Sequence, residues 1–288
     1  MNSAGLHGAR EAPHKLYGMR METLVVAVDQ RDYSLAERMN LQTDTLVGNQ
    51  GQRTSRKEIF LRNVKVTYLN TVERGVGRNR NTVLQNATAD ICVLADDDMT
   101  FVDGYPQIVE RALEECPKAD VLIFNLIEKR PRRYINTKIK RIHRYNYAKY
   151  GAARLVIRRQ RIMAAGITFS TLFGGGARYG SGEDTIFLKE CLDKGLRLYA
   201  VPYAIAEIDQ DAASSWFTGY TEKYFYDKGA LYASLYPRIW RMIAVRFLLR
   251  HSNTYKGHMP FGAALRSMLR GGTDFPAERK RYGECGSA

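Results

Sequence analysis

The stretch ATADICVLADDDM, Ala87 to Met99, decides the fold. Apolar residues run unbroken from Ile91 to Ala95 and stop abruptly on three carboxylates, Asp96, Asp97 and Asp98. An apolar run of this length (Asp90 to Ala95) reads as a strand buried on both faces, the kind found in parallel sheets covered by helices. Open α/β sheets bind ligands at the carboxyl ends of such strands, so the aspartates stand where a site is expected. Upstream, TLVVAV (Thr23 to Val28), TLVG (Thr45 to Gly48) and VKVTYL (Val64 to Leu69) read as further strands. A short helix capped by Ser34 follows the first, and RNRNTVLQNA (Arg78 to Ala87) is a helix leading into the fourth. Downstream come a helix over Gln107 to Cys116, the strand VLIFNL (Val121 to Leu126), a glycine-dense loop from Phe173 to Asp184, a helix ending at Gly195, and the strand RLYAV. This alternation predicts an α/β fold with a mostly parallel sheet flanked by helices.

A chain of 288 residues fits one such domain with a smaller appendage. Residues 1–20 are polar and aperiodic and are expected to be a disordered leader; 21–208 form the α/β domain; 209–288 turn aromatic, basic and helical. Cys92, Cys116, Cys191 and Cys285 are scattered without CxxC spacing, which points to reduced thiols and a cytoplasmic location. No signal-peptide core is visible, and no run approaches the roughly 20 apolar residues that span a bilayer.

The formal charge is +14, and the segment Lys129 to Arg161 alone holds thirteen Lys and Arg with no Asp or Glu. Such an excess attracts phosphate-rich partners: nucleic acid, anionic lipid headgroups or a diphosphate-bearing substrate. Charge by itself does not choose among them.

The acidic motif narrows the choice. Adjacent carboxylates repel one another and stay ionised together at a cost unless a cation compensates, which suits a hard divalent ion such as Mg2+ or Mn2+. Gly75, Gly77, Arg78, Asn79 and Arg80 precede the helix before that strand and offer backbone donors and guanidiniums suited to phosphate. Glu183 and Asp184 open a later helix behind the glycine loop FGGGARYGSGED, where a backbone stripped of side chains admits a sugar closely. Taken singly, each motif also has a bland reading: a solvated turn, a basic turn, a capping pair.

Together GVGRNRN, ATADICVLADDDM and FGGGARYGSGEDTIFLKECLDKGLRLY resemble family 2 of the glycosyltransferases across roughly Glu22 to Ala206, in order and spacing. The resemblance implies a GT-A (Rossmann-like) fold and inverting transfer from a nucleoside-diphosphate sugar to a hydroxyl acceptor. It implies nucleotide-sugar contacts from Arg78, Asn79, Asp96 and Asp97, close approach at Gly175 and Gly176, and a Mn2+ or Mg2+ site at Asp98 with Asp96. Asp184, beside Glu183, would be the general base. The helix N-terminus lowers the pKa of such a carboxylate and the like charge beside it raises it, and the sequence does not say which wins.

Departures from the family pattern shape the rest. Members that bind uridine commonly carry an acidic residue after the second strand, where this chain has Asn49 and Gln50; Asp29, ending the first strand, stands in as the candidate. The QxxRW motif of processive synthases is missing, which predicts single additions. His251 is either a third metal ligand or a surface residue. Tyr236 to Arg250 reads as a cationic amphipathic helix with Ile239, Trp240, Ile243, Phe247 and Leu248 on one face, packed on the domain or lying at a membrane. The aromatics Trp216, Phe217, Tyr220, Tyr224, Phe225 and Tyr226 form either a sugar-stacking wall or core packing. The basic face suggests a cell-envelope or lipid-linked glycan acceptor and peripheral attachment to an anionic membrane. Two rivals remain, a basic nucleic-acid-binding protein and a nucleotidyltransferase; the first leaves DDD and GED without a role, and the second usually has a glycine-rich turn where this chain has DQRD.

Overall fold

The computed structural model describes residues 15–16, 18–131, 133–210 and 219–282. In chain order the elements are β1 (Lys15–Leu16), β2 (Met19–Val28), α1 (Leu35–Arg38), β3 (Asp44–Gln50), β4 (Ser55–Leu61), β5 (Val64–Thr71), α2 (Val76–Asn86), β6 (Ile91–Asp96) and β7 (Met99–Phe101). There follow α3 (Tyr105–Glu115), β8 (Val121–Ile127), β9 (Lys140–Ile142), β10 (Leu155–Arg158), α4 (Arg159–Ala164), α5 (Glu183–Asp193) and β11 (Leu198–Ile208). The chain continues as α6 (Glu222–Leu235), α7 (Trp240–Arg250), α8 (Ser252–Tyr255) and α9 (Phe261–Tyr282).

The sheet runs β4-β5-β3-β2-β6-β10-β8-β11-β7, with β1 added to β2 and β9 to β11. Pairing is parallel from β5 through β3 and β2 to β6, and again between β8 and β11. Between these blocks lies β10, antiparallel to both β6 and β8. Sequence reading misses β10 because its three apolar residues sit inside the basic stretch. It also misses β4, whose exposed, charged face is that of a protected sheet edge. Alternation along β2 and β6 sends Val25, Ala27, Val93 and Ala95 to one core with α1 and α3, and Leu24, Val26, Cys92 and Leu94 to the other with α2 and α5. Both faces are therefore covered, which is why the β6 run is apolar throughout.

The register opposes Val26 to Asp96 and Val28 to Gln50, so the carboxyl ends of β2, β3 and β6 meet at one edge. Helix α2 is drawn against the segment leading to the glycine loop: a Cβ on Gly77 would lie 2.0 Å from the Ser170 carbonyl oxygen. Because the obstacle is backbone, Gly77→Ala is expected to lower stability by about 3 kcal/mol, read as a fall in the denaturation midpoint at unchanged slope.

The basic segment does not form one cationic surface. Arg154 is 2% exposed and donates to the carbonyl oxygens of Phe124 at 2.6 Å and Tyr134 at 3.0 Å; burial pulls its pKa down to about 10. Arg133 pairs with Glu128, Arg144 with Asp193, and Arg161 with Asp120. Carboxylates outside the run, Asp120 and Glu128 before it and Asp193 after it, thus pair with three of its arginines.

Beyond β11, α6 and α9 cross at backbone contact distance, where a Cβ on Gly229 would meet the Met268 carbonyl oxygen at 1.9 Å and one on Gly271 that of Tyr226 at 2.0 Å. Pro237 splits the helix expected from Tyr236, so α7 begins at Trp240. Trp240, Ala244 and Leu248 are buried, whereas Ile239, expected on the same face, is 50% exposed because it precedes the helix. Cys92, Cys116 and Cys191 are free and buried. Trp216, Phe217, Cys285 and residues 1–14 and 17 of the expected leader lie outside the described residues, while Lys15, Leu16, Met19 and Arg20 stand in the paired strands β1 and β2. No helix among the described residues is long and apolar enough to cross a membrane.

Candidate active site

The carboxyl edge of β2, β3 and β6 gathers the polar groups. Asp96 ends β6 and is followed by a turn into β7, which pairs antiparallel with β11. The turn is anchored twice: the Asp98 carbonyl oxygen accepts from the Asp209 amide at 2.8 Å, and the Asp97 carboxylate accepts from the Val28 amide at 3.2 Å and the Gln30 side chain at 3.1 Å. Asp98 is left with one carboxylate oxygen, Oδ1, buried and without a hydrogen-bond partner among the described residues. Burial, then the charges of Asp96 and Asp97, push its pKa up to about 6. Burial likewise raises that of Asp97.

A single guanidinium ties this cluster to the second acidic motif. Arg80 of α2 donates from one terminal nitrogen to Asp96 at 2.7 Å and from the other to Glu183 at 2.7 Å, with its side chain only 7% exposed. Burial works against its charge, yet Asp96 and Glu183 outweigh it and hold its pKa above the ordinary value. The face of Phe169 closes over it, with the guanidinium 5.5 Å from the ring centroid. Two motifs 85 residues apart in the chain, DDD and GED, become one acidic cluster around a buried cation.

The glycine loop completes the wall. Val76, at the start of α2, donates its amide to the Gly175 carbonyl oxygen at 2.9 Å. Gly176 adopts φ +77° with its would-be Cβ 3.2 Å from the Gly75 nitrogen. Gly174 adopts φ +107°, and a Cβ there would strike Glu183 Oε2 at 2.8 Å. Side chains are absent here because the loop runs against both α2 and the acidic pair.

Residues 39–171 match the model of the family described as glycosyl transferase family 2. Residues 39–171 carry a family 2 glycosyltransferase domain. The crystal structure of S. aureus TarS 1-349 in complex with UDP-GlcNAc matches the glycosyltransferase with a TM-score of 0.58 at 14% identity, covering 83% of this chain and 74% of that one. A second crystal structure of S. aureus TarS matches at 0.51 and 16% identity, over 81% of this chain and 43% of that one. The mannosyltransferase PcManGT from Pyrobaculum calidifontis, in complex with GDP-Man and Mn2+, gives 0.48 at 12% identity over 95% and 92% of the two chains. At these identities the likeness to TarS speaks for the GT-A fold alone. No curated protein sequence matches the chain.

Within the glycosyltransferase the sequence-derived residues fall into distinct places. Asp184 stands in the first turn of α5, where its Oδ1 accepts from the Thr185 amide at 2.6 Å. Burial and the charge of Glu183 prevail over Arg80 and the Thr185 amide, raising its pKa to about 6. Of the opposing effects that the sequence leaves open, those raising the pKa prevail. Asp29 has φ 50° and pairs with Arg74 at 3.3 Å at the exposed lip, while its amide donates to the Gln50 carbonyl oxygen. The Gln50 side chain accepts from the Gly75 amide at 2.7 Å, and Asn49 binds Gln30 and Asn70.

Arg78 is half exposed, its guanidinium 3.8 Å from Glu73. Asn79 is 1% exposed, its amide donating to the Gly48 carbonyl oxygen at 2.7 Å, so its side chain fastens α2 beneath the sheet edge. Sequence reasoning offers Arg80 only as one of the guanidiniums suited to phosphate and misses its place as a buried bridge between Asp96 and Glu183. Its signal is positional, because it shares the inward stripe of α2 with Val76, Val83 and Leu84, where a lone charge needs partners.

His251 caps α7 against Phe247, at 4.7 Å between ring centroids, and burial together with the charges of Arg250 and Lys228 lowers its pKa. No three His, Cys, Asp or Glu side chains among the described residues form a metal cage, so His251 does not complete one with the aspartates. The aspartates nonetheless suit Mg2+ or Mn2+, which bind through one or two carboxylates together with substrate phosphates. The partnerless, crowded Asp98 oxygen is the feature that fits.

Proposed function

We propose that this glycosyltransferase moves a sugar from a nucleoside-diphosphate donor to a hydroxyl acceptor with inversion, one addition per encounter. The observation that carries the reading is the Arg80 bridge, since it holds the DDD and GED carboxylates in one fixed cluster at the sheet's carboxyl edge. The acceptor oxygen attacks the anomeric carbon, the bond from that carbon to the diphosphate oxygen breaks on the opposite face, and Asp184 takes the hydroxyl proton. A base with a pKa near 6 is ionised at neutral pH and still basic enough to work.

Arg80 holds the Glu183 carboxylate in place beside Asp184. Arg78 and Arg74 line the rim where the diphosphate would lie, and Asp29, Asn49 and Gln50 border the place of the nucleobase. Asp98, with Asp96 or Asp97, would hold Mn2+ or Mg2+. Such an ion, when bound, neutralises charge on the departing diphosphate. A lipid-linked or cell-envelope glycan is the acceptor class that the basic, aromatic C-terminal region suits.

Donor hydrolysis tests the reading. Slow release of a nucleoside diphosphate is expected with Mn2+ and little without it, and Asp98→Ala should lose about a hundredfold while keeping its fold. Equal release with and without metal, or an unaffected Asp98→Ala, would remove the metal-assisted mechanism. Thermal shift against UDP, GDP, CMP and dTDP identifies the nucleotide, because a ligand of the native state raises the melting point.

A further inference from the structure

Helix α7 buries one side and leaves another apolar ridge in water. Trp240, Ala244 and Leu248 pack inward, while Met242 is 73% exposed, Leu249 63% and Val245 37%. At about 100° per residue, these last three fall within roughly 60° of one another on the outer face. Arg246 and Arg250 flank the ridge on one side and Arg241 on the other, all exposed. From Lys228 to Thr273 the sequence has eight Lys and Arg and no Asp or Glu, and Arg241, Arg246 and Arg250 form no ion pair among the described residues.

We propose that the outer face of α7 docks the protein onto an anionic lipid surface. Met242, Val245 and Leu249 enter the boundary between headgroups and acyl chains, and the arginines lay their aliphatic stems along it with guanidiniums reaching lipid phosphates. Charge decides the occupant. A second copy meeting this face across a two-fold axis would bring arginines against arginines with no carboxylate between them. A nucleic acid would satisfy the cations but give the ridge no apolar phase to enter. An anionic bilayer satisfies both.

Docking is independent of the proposed chemistry, but it gains meaning from it. The inner side of α7 presents Phe247 to Tyr232 of α6, 5.8 Å between ring centroids, and ends in His251. His251 feels the charge of Lys228, and Lys228 that of Asp184. If the glycosyl-transfer reading holds, an acceptor carried on a lipid would meet the cleft at the membrane surface.

Vesicle flotation of the full chain tests this. With phosphatidylcholine vesicles containing about one third phosphatidylglycerol, the protein should float, and with pure phosphatidylcholine about tenfold less of it should. Met242→Glu/Leu249→Glu should reduce flotation about tenfold, and Arg241→Gln/Arg246→Gln/Arg250→Gln should abolish the preference for anionic vesicles. Donor hydrolysis in solution should be unchanged in both variants, so a failed flotation and a failed enzymatic reading are told apart. These side chains are exposed and carry little stability; should the Glu pair melt early, Met242→Ser/Leu249→Ser asks the same question.

The proposal is overturned if the parent binds both vesicle types equally or neither, or if the Glu pair floats like the parent. Loss of binding in Lys138→Gln/Arg141→Gln with the α7 variants unaffected would move the membrane surface elsewhere. A dimer dispersed by the Glu pair would assign the ridge to a second copy.

Discussion

Arg80→Ala should both loosen the fold and silence the site. The guanidinium is nearly excluded from solvent and satisfies Asp96 and Glu183 at 2.7 Å each, so its removal leaves two carboxylates facing one another without a cation. Breaking a buried pair in this way costs about 3 kcal/mol or more, because the remaining charge keeps its desolvation penalty and loses its partner. Urea denaturation should show the midpoint falling by that amount at unchanged slope. Donor hydrolysis should drop by at least about a hundredfold even under conditions where the variant is folded, since Asp96 and Glu183 lose their common anchor. Arg80→Lys should recover little, because the donors of an ammonium radiate from one nitrogen and do not span the two carboxylates that the guanidinium reaches from separate nitrogens. Wild-type activity in a folded Arg80→Lys would show that the bridge is structural only.

Asp184→Asn should abolish transfer while sparing donor binding, with a loss of about 10³-fold or more in kcat and a small change in the donor KM. The pH dependence adds an independent check. The folded-state pKa of Asp184 is raised to about 6 from 3.8, so between these values the native chain binds a proton that the unfolded chain has lost. Stability contributed at this position is therefore greatest below pH 3.8 and declines as pH rises toward 6, the reverse of a salt-bridged aspartate. Asp184→Asn, which stays neutral, should melt higher than the parent at pH 7.5 and nearly level with it at pH 4. Transfer by the parent should fall away below about pH 6 as the base becomes protonated. A melting difference that does not change with pH would remove Asp184 as a group with a raised pKa.

How much of this was legible in the chain depends on the range of the interaction involved. The strands ending at Val28, Gln50 and Asp96 declare themselves, because burial on both faces demands unbroken apolar runs. The antiparallel β10 does not: three apolar residues among arginines look like surface, and only their place between β6 and β8 makes them core. The basic segment misleads for the same reason, since Arg154 looks like part of a charged face until Phe124 and Tyr134 supply its acceptors from elsewhere. Along α7 the sequence shows enough apolar residues for two faces, but which of them the body of the protein covers is fixed by where α6 and α9 lie.

By itself the sequence determined the alternation that makes an α/β sheet, the delivery of Asp96, Asp97 and Asp98 to the strand end, and the order of the DDD and GED motifs. Local periodicity and turn chemistry act over a few residues, and these features need no more. Only the tertiary structure decided that Arg80, rather than its neighbour Arg78, is the cation inside the cluster, and that burial and the charge of Glu183 outweigh Arg80 and the Thr185 amide at Asp184. Both depend on groups separated by tens of residues meeting in a medium of low dielectric, where position governs the strength of every charge.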